Sequence, residues 1–352
     1  MPNLFPEGDQ PPLYNTVDAS LLFLNAAWEY LECDPDPQFI SELWPVAESI
    51  ISWYAHGTDC DIRMEEDGLL SAGSGLWQLT WMDVRFGDIL PTPRHGKPVE
   101  VNAYWYNGVR VLEQLLYLAE KPEQLVSLED TPQLTEGWSR MGAQSRAAWL
   151  ALFAQRIQNS FLEKFTKPDG TLYDVIPSEK QKEEGLTPDE IRARDQIRCN
   201  EVFALSLPFT MIGQEQAQAI LGQIRRELYT PLGLRSLSAR DEAFRPFYGG
   251  SQFNRDMAYH QGTVWVYPLG DYYRACLRYA SDREKEAERI REALGAVEAA
   301  MTEGCLGQLP EIYDGKTPGA SKGCYAQAWS TAQLLRVYRD LEKQEKGERI
   351  LL

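Results

Sequence analysis

The sequence predicts an all-α fold in which helix pairs wind into a toroid with their connections gathered at one end. Apolar residues recur at helical spacing in about nine stretches, and almost nothing alternates as a strand would. Long connections rich in Gly, Pro, Trp and Asp separate these stretches, over residues 58–98, 170–200, 230–257 and 302–323. Connections of that length inside a compact fold usually carry function.

The elements follow in order. The first helix is expected over residues 17–33, where Leu21, Leu24, Trp28 and Leu31 share a face, Thr16 offers an N-cap and Asp34-Pro35 a stop. The second is expected over 37–56, ending at Gly57. Further helical patterns cover 99–120, 142–165, 201–212, 214–228, 258–280, 283–301 and 324–342. Residues 180–190 read as a solvated excursion, and no linker divides residues 1–352, so one domain is expected.

Composition narrows the function. Hydrophobic residues make up 43% and charged residues 25%, the mix of a folded globular chain. The net charge of −17 opposes binding to nucleic-acid phosphates or an anionic membrane, both of which ask for a basic surface. No run approaches the roughly 20 apolar residues of a membrane span, and the first residues have no signal-peptide pattern. A cytoplasmic location is expected. The six cysteines form no C-x-x-C pair, and the histidines are only His56, His95 and His260, so neither a disulfide framework nor a structural metal is expected. Nucleotide-loop and serine-elbow motifs are absent.

What remains is a pattern suited to sugars. Trp77, Trp81, Tyr104, Trp105, Tyr106, Tyr248, Tyr259, Trp265, Tyr313, Tyr325 and Trp329 lie in or beside the connections. Aromatic faces stack on the C–H faces of a pyranose while neighbouring carboxylates and amides take its hydroxyls. Carboxylates stand among them: Asp83 after Trp81-Met82, Glu100 after Arg94 and Lys97, Asp256 before Tyr259-His260-Gln261, and Glu311 in Pro310-Glu311-Ile312-Tyr313-Asp314. Together they suit glycoside hydrolysis, in which one carboxyl protonates the leaving oxygen and another activates water.

Several segments carry a family resemblance: Tyr14-Asn15-Thr16-Val17-Asp18-Ala19-Ser20, Gln78-Leu79-Thr80-Trp81-Met82-Asp83, Thr92 through Glu100, Thr230 through Leu237, Tyr259 through Trp265, and Ala326-Gln327-Ala328-Trp329-Ser330. Over about residues 3–335 the chain resembles the amylo-α-1,6-glucosidase domain of glycogen debranching enzymes. The resemblance implies an (α/α)6 toroid of the six-hairpin glycosidase type. It also implies inverting hydrolysis of α-1,6-linked glucose on glycogen, limit dextrin or a related branched glucan, without a cofactor. By motif it implies Asp83 as general acid and Glu311 as general base. It places Asp18, Trp81, Arg94, Lys97, Glu100, Asn102, Arg235, Asp256, His260, Gln261 and Trp329 at the sugar-binding end.

Two departures qualify it. Ile197-Arg198-Cys199-Asn200-Glu201 stands where the family reads Ile-Arg-Pro-Asn-Gln. The family's toroid also begins earlier, with a Trp-Gly-Arg-Asp segment and two or three helices that have no counterpart here, so an incomplete toroid is expected. A homodimer or a complementing polypeptide is the partner such an opening invites. Two other readings stand beside hydrolysis at branch points: an inactive or partner-completed glucan-binding fragment, and another inverting α-glycosidase on the same barrel.

Overall fold

The computed structural model describes residues 1–348 and 350. Helices dominate. The chain opens with α1 (Ala19–Cys33) and α2 (Pro37–His56). The start of α2 is dictated locally: Asp36 accepts a hydrogen bond from the Gln38 N–H at 2.8 Å and Pro37 occupies the first helical position, where its missing N–H costs nothing. Gly57 ends it with φ of 110°. Two-residue strands β1 (Arg63–Met64), β2 (Leu70–Ser71) and β3 (Lys97–Pro98) lead into α3 (Val99–Leu118), which is buried along most of its length. Next come α4 (Ala143–Phe165), β4 (Val175–Ile176), and two short helices started by capping boxes, α5 (Glu179–Glu184) and α6 (Pro188–Asp195). A 3-10 turn at Cys199–Val202 runs into α7 (Phe203–Ser206), and α8 (Gln214–Glu227) follows.

The second half holds β5 (Tyr229–Thr230), β6 (Gly233–Arg235), α9 (Gln252–Ala258), β7 (Val264–Trp265), α10 (Tyr267–Arg278), α11 (Arg283–Ala300), β8 (Ile312–Tyr313) and α12 (Ala328–Glu345). β5, β6, β7 and β8 form one antiparallel sheet in that order, with Leu234 opposite Trp265 and Trp265 opposite Ile312. β3 pairs with β4.

The long helices alternate between two layers, as in an α/α toroid. α3 and α10 are buried nearly all round, and α7 joins them on the inner layer. α2, α4, α8 and α11 bury one stripe each and face outward on the other, the pattern of helices packed from outside. α1 packs on α3, and α12 on α10. α1 and α12 are bridged by ions: Arg336 pairs with Glu29, and Arg274 from α10 pairs with Asp340 at 2.8 Å and Glu29 at 3.6 Å. A continuous apolar core joins the layers, with Trp44, Trp105, Trp138, Phe161 and Tyr273 among its largest fully buried side chains.

Several expectations are revised. Thr16 does not cap α1; Asp18 is the N-cap residue, but its carboxylate accepts the Thr16 hydroxyl instead of a helix N–H. The helix expected over 201–212 is only the short α7, because Pro208 forces Leu207 into extended backbone (ψ 150°). The single helix expected over 258–280 is split. Gly262 at φ 127° turns the chain after α9, β7 joins the sheet, and α10 starts only at Tyr267. α12 begins at Ala328, four residues late, since residues 323–327 are used around Glu311. Residues 180–190 are mostly exposed, as a solvated excursion would be, but they are mostly helical, in α5 and α6. Of the six free cysteines only Cys199 and Cys276 are buried. Among the described residues no helix is long and apolar enough to cross a membrane.

Candidate active site

A cleft of about 480 Å³ opens between α1, α10, α12 and the connections before α3 and β8. That volume lies in the range of about 300–1,000 Å³ typical of small-molecule sites. Asp18, Trp81, Asp83, Glu311 and Trp329 all line it, so the structure brings together both expected catalytic carboxylates and three of the expected binding residues. A larger cavity of about 660 Å³ lies between α8, α10 and α11, but its wall is surface charge, including the Arg289–Glu286 ion pair. It offers a sugar no aromatic platform comparable to that of the first cleft.

Glu311 is fixed by the sheet. It directly precedes β8, its N–H donates to the Cys324 carbonyl at 2.8 Å, and its carbonyl accepts from Val266 N–H at 3.3 Å. Its carboxylate is buried and oriented by two donors, Cys324 N–H on Oε2 and Gln327 Nε2 on Oε1, both at 3.2 Å. Gly323 is required here: its φ is 69°, and a Cβ at that position would lie 2.3 Å from Glu311 Oε2. The Tyr259 phenol lies against Glu311; burial first, and then the neighbouring carboxylate, hold its proton far more tightly than in a free tyrosine.

Asp83 has a different mount. It sits on the connection between β2 and β3, anchored through fully buried Met82, and its side chain is half exposed to the cleft. Asp18 lies across from it at the start of α1; burial raises its pKa, opposed by the Thr16 hydrogen bond and reinforced by the charge on Asp83.

The aromatic wall is built around Trp81. Its ring meets His260, Trp265 and Tyr267 edge-on, with centroids 5.0 to 5.3 Å apart. Trp329 stacks on Tyr267 at 4.4 Å. Edge-on contacts of this kind suit the aromatic quadrupole and lock the rings. Tyr259, Trp265, Tyr267, Tyr104 and Asp271 also line the cleft. Of these, Tyr267 and Asp271 escaped the sequence reading because both fall inside what looked like an uninterrupted helix.

The remaining expected binding residues do not line this cleft. Arg94, Glu100 and Asp174 form a buried ion cluster: Arg94 Nε donates to Asp174 at 2.7 Å, and Nη2 to Glu100 at 2.6 Å. Asp174 then accepts from Asn200 Nδ2 at 2.8 Å, and Asn200 Oδ1 accepts the Trp81 indole N–H at 2.8 Å. The cluster therefore props Trp81 from behind. Lys97 is fully buried between Glu65 (2.7 Å) and Asp67 (2.6 Å). Asn102 clamps both backbone groups of Leu70. Gln261 accepts from Arg198 Nη2 at 2.7 Å, and Arg235 donates to the Gly315 carbonyl at 2.7 Å. Asp256 is half-buried on α9, outside the cleft lining. His260 lies behind the aromatic wall, fully buried, with Nε2 3.9 Å from Asp83 Oδ1. In the sequence a charge that props an aromatic looks the same as one that touches a ligand; Asn200 showed only as part of the departing segment 197–201, and Asp174 carried no signal at all. Among the described residues no group of three His, Cys, Asp or Glu side chains is placed to hold a metal ion.

A sequence-family model described as amylo-alpha-1,6-glucosidase matches residues 1–336. The glycogen debranching enzyme of Saccharomyces cerevisiae is 23% identical over 425 residues, covering 97% of this chain and 27% of that protein. The chain thus spans about a quarter of the length of that curated relative. Among solved structures, an uncharacterized conserved protein from Thermus thermophilus matches with a TM-score of 0.59 at 15% identity, covering 94% of this chain and 79% of that one. A sialidase matches with a TM-score of 0.61 at 12% identity, covering 93% and 26%. The structural matches show the likeness of fold.

Proposed function

The chain belongs to the amylo-alpha-1,6-glucosidase family, and from that premise we propose that its cleft hydrolyses the α-1,6 bond of a single glucose left at a branch point of glycogen or limit dextrin, with inversion. The observation that carries the proposal is the pair Asp83 and Glu311 on one aromatic-walled cleft. Asp83 protonates the glycosidic oxygen as the C1–O bond breaks, and Glu311 takes a proton from the water that attacks C1 from the other face. The transition state is oxocarbenium-like, and acid and base carboxylates suffice for it. The Trp81 and Trp329 rings pack the sugar's C–H faces, and Asp18 takes a hydroxyl. The unequal mounts support the division of roles. A base must hold one water in one place, which the two donors on Glu311 favour; an acid must reach a leaving group arriving from solvent, and Asp83 is the exposed member.

The test is glucose release from phosphorylase-limit dextrin, with the product anomer followed by NMR. β-Glucose as first product, lost by about 100-fold or more in Asp83→Asn and in Glu311→Gln, is the expected result. Turnover within a few-fold of wild type in both variants overturns the mechanism. A cooperatively folded chain that binds limit dextrin yet releases no glucose is a glucan-binding module and not a hydrolase.

A further inference from the structure

His260 stands in contact range of Asp83 with polar atoms that have no use where they are. Its ring is 1% exposed and both Nδ1 and Nε2 lack hydrogen-bond partners among the described residues. A buried imidazole without partners forfeits the hydrogen bonds it had in water, so such an atom calls for a function. The ring cannot turn to find another partner. It stacks on Trp265 at 5.0 Å and 12°, abuts Trp81 edge-on and Tyr259 at 4.7 Å, and its own carbonyl is held by Arg198 Nη1 at 2.7 Å. In that fixed pose Nε2 points at the carboxyl of Asp83, 3.9 Å away. The gap is about 1 Å longer than a normal hydrogen bond, and the half-exposed Asp83 is the member free to close it.

We propose that His260 is a positioning residue for Asp83: its Nε2–H donates to Oδ1, fixes the direction of the carboxyl toward the cleft, and strengthens its hold as Asp83 gives up its proton. The inference rests on the reading of Asp83 as the acid. A donor to a carboxyl binds the anion better than the neutral acid. The bond therefore favours the state in which the proton has passed to the glycosidic oxygen, and its gain falls in the transition state. Imidazole serves here only if it stays neutral, since an imidazolium would take charge into the buried wall. Burial lowers the His260 pKa, Arg198 lowers it further, and Asp83 and Glu311 act in the opposite direction. Among the described residues those three are the charged groups that act on the ring most strongly. The net direction is down, which keeps the ring neutral.

Two measurements test this. The first needs no turnover: in chain labelled with 15N-histidine, the His260 ring nitrogens are followed in the wild type and in Asp83→Ala. Expected is the Nε2–H tautomer in the wild type, with its resonance shifted and its titration moved to lower pH in Asp83→Ala, while His56 and His95 stay as they were. An Nδ1–H tautomer, or a His260 signal indifferent to Asp83→Ala, overturns the proposal. The second compares His260→Phe with His260→Gln on limit dextrin. Phe keeps the stack and removes the donor; Gln restores an N–H. Expected is a kcat about 10–100-fold lower in the Phe variant with KM within twofold, a displaced pH profile, and recovery of much of the loss by Gln. Wild-type kcat and pH profile in a folded Phe variant overturns the positioning role. If Asp83 proves dispensable for glucose release, the function proposed above fails, while the 15N result still decides whether the contact exists.

Discussion

Trp81 reaches the cleft with its indole N–H already committed to Asn200, so only its ring is left for a ligand. Asn200→Leu should free the indole and blur its pose. The expected cost is about 1 kcal/mol of binding, roughly a fivefold rise in KM for limit dextrin with kcat little changed; an unchanged KM would show that the prop is redundant. Next to it, Glu201 carries a pH signature. Burial raises its pKa from 4.5 to about 7, although Gln223 Nε2 at 2.8 Å and Leu172 N–H at 3.2 Å both favour the anion. The folded chain thus keeps a proton that the unfolded chain gives up. The stability this adds is complete below about pH 4.5 and is lost as pH rises through about 7, in total on the order of 3 kcal/mol. Melting temperature should therefore fall between pH 5 and pH 8, and Glu201→Gln should flatten the slope; an equal slope in the variant would refute the assignment. At this scale the cleft was partly legible. Trp81, Asp83 and Glu311 stood out because carboxylates and indoles in long connections have little reason to be there as core, and Trp329 as an indole beside one; Asp18 came only with the family resemblance. Arg94, Lys97, Glu100, Asn102 and Gln261 were legible as unusual but not as buried, because burial is decided by segments far away: Asp174 for Arg94, Glu65 for Lys97, Pro91 for Gln261.

The helices were read well where one apolar stripe was enough to define them. The expected bounds of α2 and α4 fall within a residue of those found, because Pro37, Gly57 and Gly142 mark the ends chemically. Reading failed where tertiary pairing overrode a helical pattern. Tyr259 through Val266 keeps helical spacing, yet Trp265 is claimed by β6 on one side and β8 on the other. Gly262 makes that departure possible: it holds φ 127°, and a Cβ there would sit 2.4 Å from the Phe244 ring. Gly262→Ala should lower stability by about 1–3 kcal/mol and disturb the adjoining His260, so melting temperature and glucose release should fall together. A variant as stable and active as wild type would mean the turn adapts freely. A different element separates support from contact. Asn102→Ala unclamps Leu70, neither residue lining the cleft, and should cost about 1–3 kcal/mol in stability with kcat unchanged in the folded fraction.

For the molecule as a whole, a charge of −17 is accommodated in part because several of the acids that turn inward meet cations there. Glu100 and Asp174 pair with Arg94, Asp340 with Arg274, and Glu29 with Arg336. No periodicity in the sequence announces those long-range pairs, which is why the layering of helices was foreseeable and the ionic bridge between α1 and α12 was not. The two carboxylates of the cleft hang from this frame very differently. Glu311 is hydrogen-bonded into the sheet that also starts α10, whereas Asp83 opens the mostly exposed stretch 83–90, in which Phe86 and Ile89 share a mutual backbone pair. One half of the machinery is thus a chassis and the other an exchangeable part. Amide hydrogens over residues 83–90 should exchange with deuterium well before those of residues 311–313, and a sugar in the cleft should slow the first set while leaving the second untouched. On the proposed reading, a segment so lightly attached is also the natural place to alter which glucan ends are accepted: it can be shortened, lengthened or replaced while the sheet keeps Glu311 where it was.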